Sequence, residues 1–152
     1  MDVLFYYAKD NRQLDRNDTA TVVMPTLNSE NERLHDAQPG DSVWVVTWEG
    51  DQKGYTLVEQ FVVAAKYRNK TPDGIGSFGL EPDVARSVAM NPHSRPCVDA
   101  IMCKLDKPPK PRASSFQGPR HVRPLSLAES AAFHGFINST ARKVVAFGSH
   151  RL

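Results

Sequence analysis

Cysteine is scarce in this chain, with only Cys97 and Cys103 among 152 residues. They lie six apart in a stretch, Cys97 to Leu105, that reads as one strand. At about 3.3 Å per residue, their Cα atoms fall far beyond the ~7 Å that a disulfide spans. Both are expected as reduced thiols of a cytoplasmic protein, and as buried strand cysteines they are expected to be inert. No paired C-x-x-C occurs, and His35, His93, His121, His134 and His150 lack H-x-x-x-H spacing, so neither a metal nor another cofactor is expected. No apolar run approaches the ~18 residues of a membrane helix. The opening Met1 to Tyr7 is acidic and aromatic, without the basic and apolar regions of a secretion signal.

Catalytic signatures are missing as well. There is no G-x-S-x-G and no G-x-x-x-x-G-K-[ST]. Gly74 to Gly79 is glycine-rich but follows a loop, not a buried strand, and reads as a flexible loop. Asp99 and Lys104 lack the second acid that a metal-dependent nuclease needs. The expectation is a binding protein rather than an enzyme.

What is present is an ordinary globular composition, 40% hydrophobic and 24% charged, at the size of one domain. Its net charge of +2 hides a gradient: residues 1–50 carry a net −5, residues 51–100 a net 0 and residues 101–152 a net +7. A basic final third is the asymmetry expected where one face meets a polyanion.

Read for pattern, residues 2–8 form an opening strand and residues 19–24 a second one, stopped by Pro25. Residues 28–37 have room for a brief helix. Pro39-Gly40-Asp41 turns into a strand from Ser42 to Trp48, and the turn-rich 49–54 leads to a long strand from Tyr55 to Arg68, making an antiparallel hairpin. On the long strand Tyr55, Leu57, Phe61, Val63 and Tyr67 share the parity of a core face, with Lys66 and Arg68 on the other. Residues 69–94 read as an irregular excursion with one helical turn at 82–90, and the prolines of 106–119 as an extended, semi-rigid connection. Residues 120–125 re-enter the sheet. Ser126-Leu127-Ala128-Glu129 is a capping box opening a helix to about Ile137. Lys143 to Phe147 is either a final strand or part of a partly ordered tail.

Two groups of residues are candidates for binding. Trp44 and Trp48 share one face of their strand, and Trp48 at the hairpin rim is placed to close a pocket against Tyr6, Tyr7, Phe78 or Phe116. Such walls stack a base, worth ~1–3 kcal/mol each. Basic candidates for phosphate are Lys66, Arg68 and Lys70, then Lys104, Lys107, Lys110 and Arg112, then Arg120 and Arg123.

Four segments in this order carry a family resemblance: Val3-Leu4-Phe5-Tyr6-Tyr7; Pro39-Gly40-Asp41-Ser42-Val43-Trp44-Val45; Phe61-Val62-Val63-Ala64; and residues 116–126, Phe116-Gln117-Gly118-Pro119-Arg120-His121-Val122-Arg123-Pro124-Leu125-Ser126. Together they resemble the PUA-like superfamily and, within it, the EVE branch related to YTH domains. The resemblance implies an α+β fold, a small curved or barrel-like, mostly antiparallel β-sheet flanked by short helices. It also implies an aromatic pocket for a methylated or similarly modified base, with Trp48 on its wall and Arg120 and Arg123 on its basic approach. The family's tryptophan after the first strand is replaced here by Phe5-Tyr6-Tyr7, and residues 69–94 have no counterpart.

The expectation is thus one PUA/EVE-like domain over 1–138 and a C-terminal extension over 139–152. Its partner is DNA or RNA carrying a modified base, with or without a separately encoded nuclease or other protein beside it. The alternatives are a structured-RNA binder blind to modification and a small protein-interaction module.

Overall fold

The computed structural model describes residues 1–7, 26–69, 77–109 and 121–139, together with the strand Val144–Ala146. The expected strand at 19–24 lies outside the described residues. Elsewhere the described residues form eight strands; the sequence pattern predicts the first, third, fourth and seventh and allows the eighth, but not the second, fifth and sixth. The eight are β1 (Val3–Tyr6), β2 (Leu27–Ser29), β3 (Ser42–Trp48), β4 (Tyr55–Arg68), β5 (Phe78–Pro82), β6 (Val88–Met90), β7 (Val122–Pro124) and β8 (Val144–Ala146). A 3-10 helix spans Glu32–Asp36, with Asn31 as its cap, and two α-helices follow, α1 (Asp99–Met102) and α2 (Leu127–Ser139).

The strands make one mixed sheet in the order β2-β5-β4-β3-β1-β7. Among the described residues only β1 and β3 run parallel. β6 pairs with Glu59 and Gln60 on the edge of β4 that β5 occupies further along, and β8 pairs with β6. Between β5 and β6 the chain breaks away, and Ser87 fills the gap in the ladder. Its hydroxyl accepts from the Val62 amide at 2.9 Å, while the Asp83 amide donates to the Val62 carbonyl at 2.7 Å. The helical turn expected at 82–90 is therefore this strand-break-strand edge, because the backbone groups of β4 demand partners.

The sheet is curled. The opposite edges β2 and β7 are linked where Ser29 Oγ meets His121 Nε2 at 2.7 Å, and the 3-10 helix packs against β5, β7, β1 and β2. Both faces are buried. The inner face holds Val3, Phe5, Val43, Val45, Phe61, Val63, Leu80 and Val122 with Leu34 of the 3-10 helix. The outer face holds Leu4, Tyr6, Trp44, Val46, Tyr55 and Leu57 beneath Met102, Phe133 and Ile137 of the α-helices.

β4 serves both cores because it is bulged twice. Val45 pairs with Glu59 but Val46 with Leu57, so Val58 is an extra residue; Val63 pairs with Pro82 but Ala65 with Glu81, so Ala64 is another. Each bulge reverses the parity. The single core face expected along β4 is corrected accordingly. Tyr55 and Leu57 face outward, Phe61 and Val63 face inward, and beyond the second bulge Lys66 and Arg68 share the inner face while Tyr67 lies on the other.

Two further expectations meet the structure differently. The capping box is present: the Glu129 amide donates to Ser126 Oγ at 3.1 Å and the Ser126 amide to Glu129 Oε1 at 2.9 Å. Residues 97–105, expected as a strand, give only an isolated bridge from Cys97 to Thr56 and then α1, since Asp99 is drawn to the hairpin. Both cysteines are exposed rather than buried.

The tip of β4 depends on a glycine. Tyr67 lies across the backbone of its partner Gly79 to donate to Asn28 Oδ1 at 2.7 Å, and a Cβ on Gly79 would overlap the ring carbons. Gly79→Ala is expected to lower unfolding stability by about 1–3 kcal/mol in urea titrations, as overpacking does. In a Tyr67→Ala background the same change is expected to cost little, a coupling that a double-mutant cycle reads directly.

Candidate nucleic-acid interface

The sequence-predicted residues fall into three places. The first is the corner where β3 ends and β4 begins. Trp48 and Tyr55 are register partners, their ring centroids 5.0 Å apart and their planes inclined at 63°. Along this outward row Trp44 and Tyr55 are buried, whereas Trp48 is half-buried against the outer core. The corner is stiffened by Asp99, whose Oδ1 accepts from the Tyr55 amide at 2.8 Å and whose carboxylate occupies the space a side chain on Gly54 would need. Gly54 also has φ +69°, which favours glycine. Thr56 donates to Glu49 Oε2 at 2.6 Å beside it. The corner thus sets the Trp48 indole beside Tyr55 on the outward face, with the Glu49 carboxylate bonded to Thr56 on the other face.

The second place is the seat of α2, where Trp44 belongs. Its ring is fully buried and stacks on Phe133, with centroids 5.2 Å apart and planes at 19°, so Trp44 is a core residue and not a pocket wall. Tyr6 is buried in the same core, and Tyr7 is half-buried against the inner one. Asp2 organises this seat. Its carboxylate accepts from the Ser42 amide at 2.8 Å, Trp44 Nε1 at 3.2 Å and Ser130 Oγ, and it pairs with His134 Nε2 at 3.1 Å. Sequence reading missed this cluster, because nothing local links Asp2 to residues more than 120 positions away.

Aspartate, histidine and serine meet here, yet the arrangement is not a nucleophile with its base. Ser130 and His134 both bind Asp2 Oδ2, so the imidazole does not stand between hydroxyl and carboxylate. Burial pushes the Asp2 carboxyl up, but the hydrogen bonds from Ser130, Ser42, Trp44 and His134 outweigh it and hold the group below the usual carboxylate value.

The third place is the far tip of β4 and β5. Arg68 Cζ lies 4.5 Å from the centroid of Phe78, its register partner, and His35 meets the same ring edge-on at 5.1 Å. Lys66 Nζ donates to the His35 carbonyl at 3.2 Å. Lys66 and Arg68 are exposed and Phe78 is half-buried. Phe78 and Trp48 sit at opposite ends of the 14-residue β4 and on opposite faces of the sheet, so they do not wall one pocket.

Arg123 is committed elsewhere. Its guanidinium donates to the carbonyls of Asp106 at 2.6 Å and Lys107 at 3.2 Å, holding the turn in which Lys107 takes φ 54°. Arg112, Phe116, Arg120, Lys70 and Lys110 lie outside the described residues. The last residues of the glycine-rich run, Phe78 and Gly79, lie in β5, and Gly79 is accounted for by Tyr67. Among the described residues no three His, Cys, Asp or Glu side chains converge as metal ligands, and no helix is long and apolar enough to cross a membrane. Partial desolvation, with the charge and side-chain hydrogen bond of Asp99, pushes the Cys97 thiol up against the lowering effect of the Asp99 backbone amide.

No family model and no curated protein matches the chain. Among solved structures, a hypothetical protein from Leishmania major matches over 93% of this chain and 96% of that one, at 12% identity and a TM-score of 0.48.

The Asp2 cluster yields a pH dependence. Because its folded pKa is depressed, its stabilisation is fully present above the unfolded value near 3.8 and is lost as pH falls through the folded value. Asp2→Asn is expected to cost about 1.5–3 kcal/mol at neutral pH, the range for hydrogen bonds to a charged group. In urea titrations over pH 2 to 7, set about the carboxylate range, the gap between variant and parent is expected to narrow on the acid side of that window.

Proposed function

We propose that the chain is a non-catalytic nucleic-acid-binding domain that tests one base, methylated or similarly modified, against Trp48, while basic residues hold the phosphate backbone. The observation that carries this reading is the half-buried Trp48, braced on Tyr55, whose backbone amide is held by the Asp99 carboxylate. An indole face supplies stacking, and a carboxylate accepts from an exocyclic amine. A methyl group fills space that an unmodified base leaves underpacked. The family resemblance and the net +7 of residues 101–152 support the same reading.

The corner itself carries Glu49, Asp51 and Asp99 against Lys53 alone, so phosphates are repelled from it and drawn to cationic surface elsewhere. This division of labour makes the base, rather than the backbone, the partner of Trp48. A second reading, a binder of structured RNA indifferent to modification, draws on the exposed cations at the tip of β4.

Fluorescence anisotropy on matched oligonucleotides, with and without cytosine or adenine modification and at two salt concentrations, tests the reading. Trp48→Ala is expected to erase the preference for the modified strand, a loss of about 5- to 150-fold for one stacked base. Arg120→Ala is expected to weaken modified and plain strands alike and to reduce the salt slope by about one. Equal preference in the parent and Trp48→Ala would overturn the pocket, and salt-sensitive binding blind to modification would favour the second reading.

A further inference from the structure

We propose that the tip of β4 and β5 is a second contact, specific for single-stranded nucleic acid, in which the Arg68 guanidinium backed by Phe78 stacks an unpaired base and Lys66 meets the neighbouring phosphate. The inference rests on the nucleic-acid reading but not on the Trp48 pocket.

The geometry is built rather than incidental. The bulge at Ala64 reverses the parity of β4, which places Lys66 and Arg68 on the face of their partners Leu80 and Phe78. Without it these cations would point away from the ring. Phe78 is fixed on three sides: it packs on the inner core, His35 meets it edge-on at 5.1 Å, and Arg68 covers it at 4.5 Å. His35 is itself tied, its Nε2 within 3.0 Å of the Gly79 carbonyl and its own carbonyl accepting from Lys66. The backing for the guanidinium is therefore rigid, and its exposed side remains for a ligand.

Lys66 and Arg68 supply positive charge at this point, near Glu32 and Asp36 of the 3-10 helix. Among the described residues neither Lys66 nor Arg68 forms an ion pair. The nearby acid Glu30 is held by Ser77 Oγ at 2.8 Å, and Glu81 pairs with Ala65 on the opposite face. A carboxylate or a lone phosphate needs only the charge. The aromatic backing adds something that only a flat partner uses: a planar cation on a ring continues as a stack with a base, and a base is available to stack only when it is unpaired.

The test separates plane from charge. Arg68→Lys keeps the cation and removes the plane, and Phe78→Leu keeps apolar bulk and removes the ring. Anisotropy is measured with a labelled mixed-sequence strand of about 12 nucleotides, within the footprint of small barrel domains, and with the same strand annealed to its complement. The parent protein is expected to prefer the single strand. Arg68→Lys is expected to lose about 5- to 150-fold on the single strand, the range for one stacked base, with an unchanged salt slope and an unchanged melting temperature. Phe78→Leu is expected to change affinity in the same direction.

Parent-like affinity of Arg68→Lys for the single strand would overturn the inference, because charge alone would then suffice. Equal affinity of the parent for single and double strands would overturn it too. Loss of modification preference in Trp48→Ala alongside a silent Arg68→Lys would leave the pocket standing and remove only this site. A parent protein that binds neither strand would overturn both.

Discussion

The structure depends on one strand. β4 runs for 14 residues, pairs with β3 on one edge and with β5 and β6 on the other, and contributes side chains to both hydrophobic cores. A regular strand of that length sends alternate residues to fixed faces and would have to keep one set inward throughout. The bulges at Val58 and Ala64 lift this constraint. They let Leu57 pack beneath the helices while Phe61 and Val63 fill the curl of the sheet, and they bend the strand so that the sheet can curl at all.

Curling brings distant parts of the chain together. Ser29 and His121 are 92 residues apart in sequence and 2.7 Å apart in space, and Phe5 meets the His121 ring edge-on. The 3-10 helix fills the remaining gap between the edges, with Leu34 buried beneath it. On the outer side, the Asp2 carboxylate and the Trp44 to Phe133 stack hold α2 against the sheet. A buried aromatic pair of this kind contributes roughly 0.5–1.5 kcal/mol beyond its area burial. Trp44 therefore serves stability, while its row-mate Trp48 is half-buried against the same core.

Charge and aromatic surface are sorted along β4. The end at Tyr55 carries the indole of Trp48 near the Asp99 carboxylate that holds the Tyr55 amide, and the end at Arg68 carries a phenyl ring under a guanidinium. Under the function we propose, the first environment would take a base edge that donates hydrogen bonds, and the second a phosphate with an unpaired base.

Much of this was legible in the sequence. Period-two valines and aromatics give β3 from Ser42 to Trp48 and β4 from Tyr55 to Arg68, and the Ser126 to Glu129 box gives the start of α2, because these signals are local and physically strong. Tertiary structure alone decided the rest. Bulges leave no mark in a hydrophobic pattern, so the faces of Phe61, Tyr67 and Arg68 depended on how β3 and β5 register against β4. The strands β5 and β6, broken by Pro82 and Asp83, exist because β4 presents backbone groups that must be paired. Likewise the separation of Trp48 from Phe78, and the Asp2 cluster with Ser130 and His134, follow from the curl of the sheet. Contacts between residues far apart in the chain have a geometry that no neighbouring residue encodes.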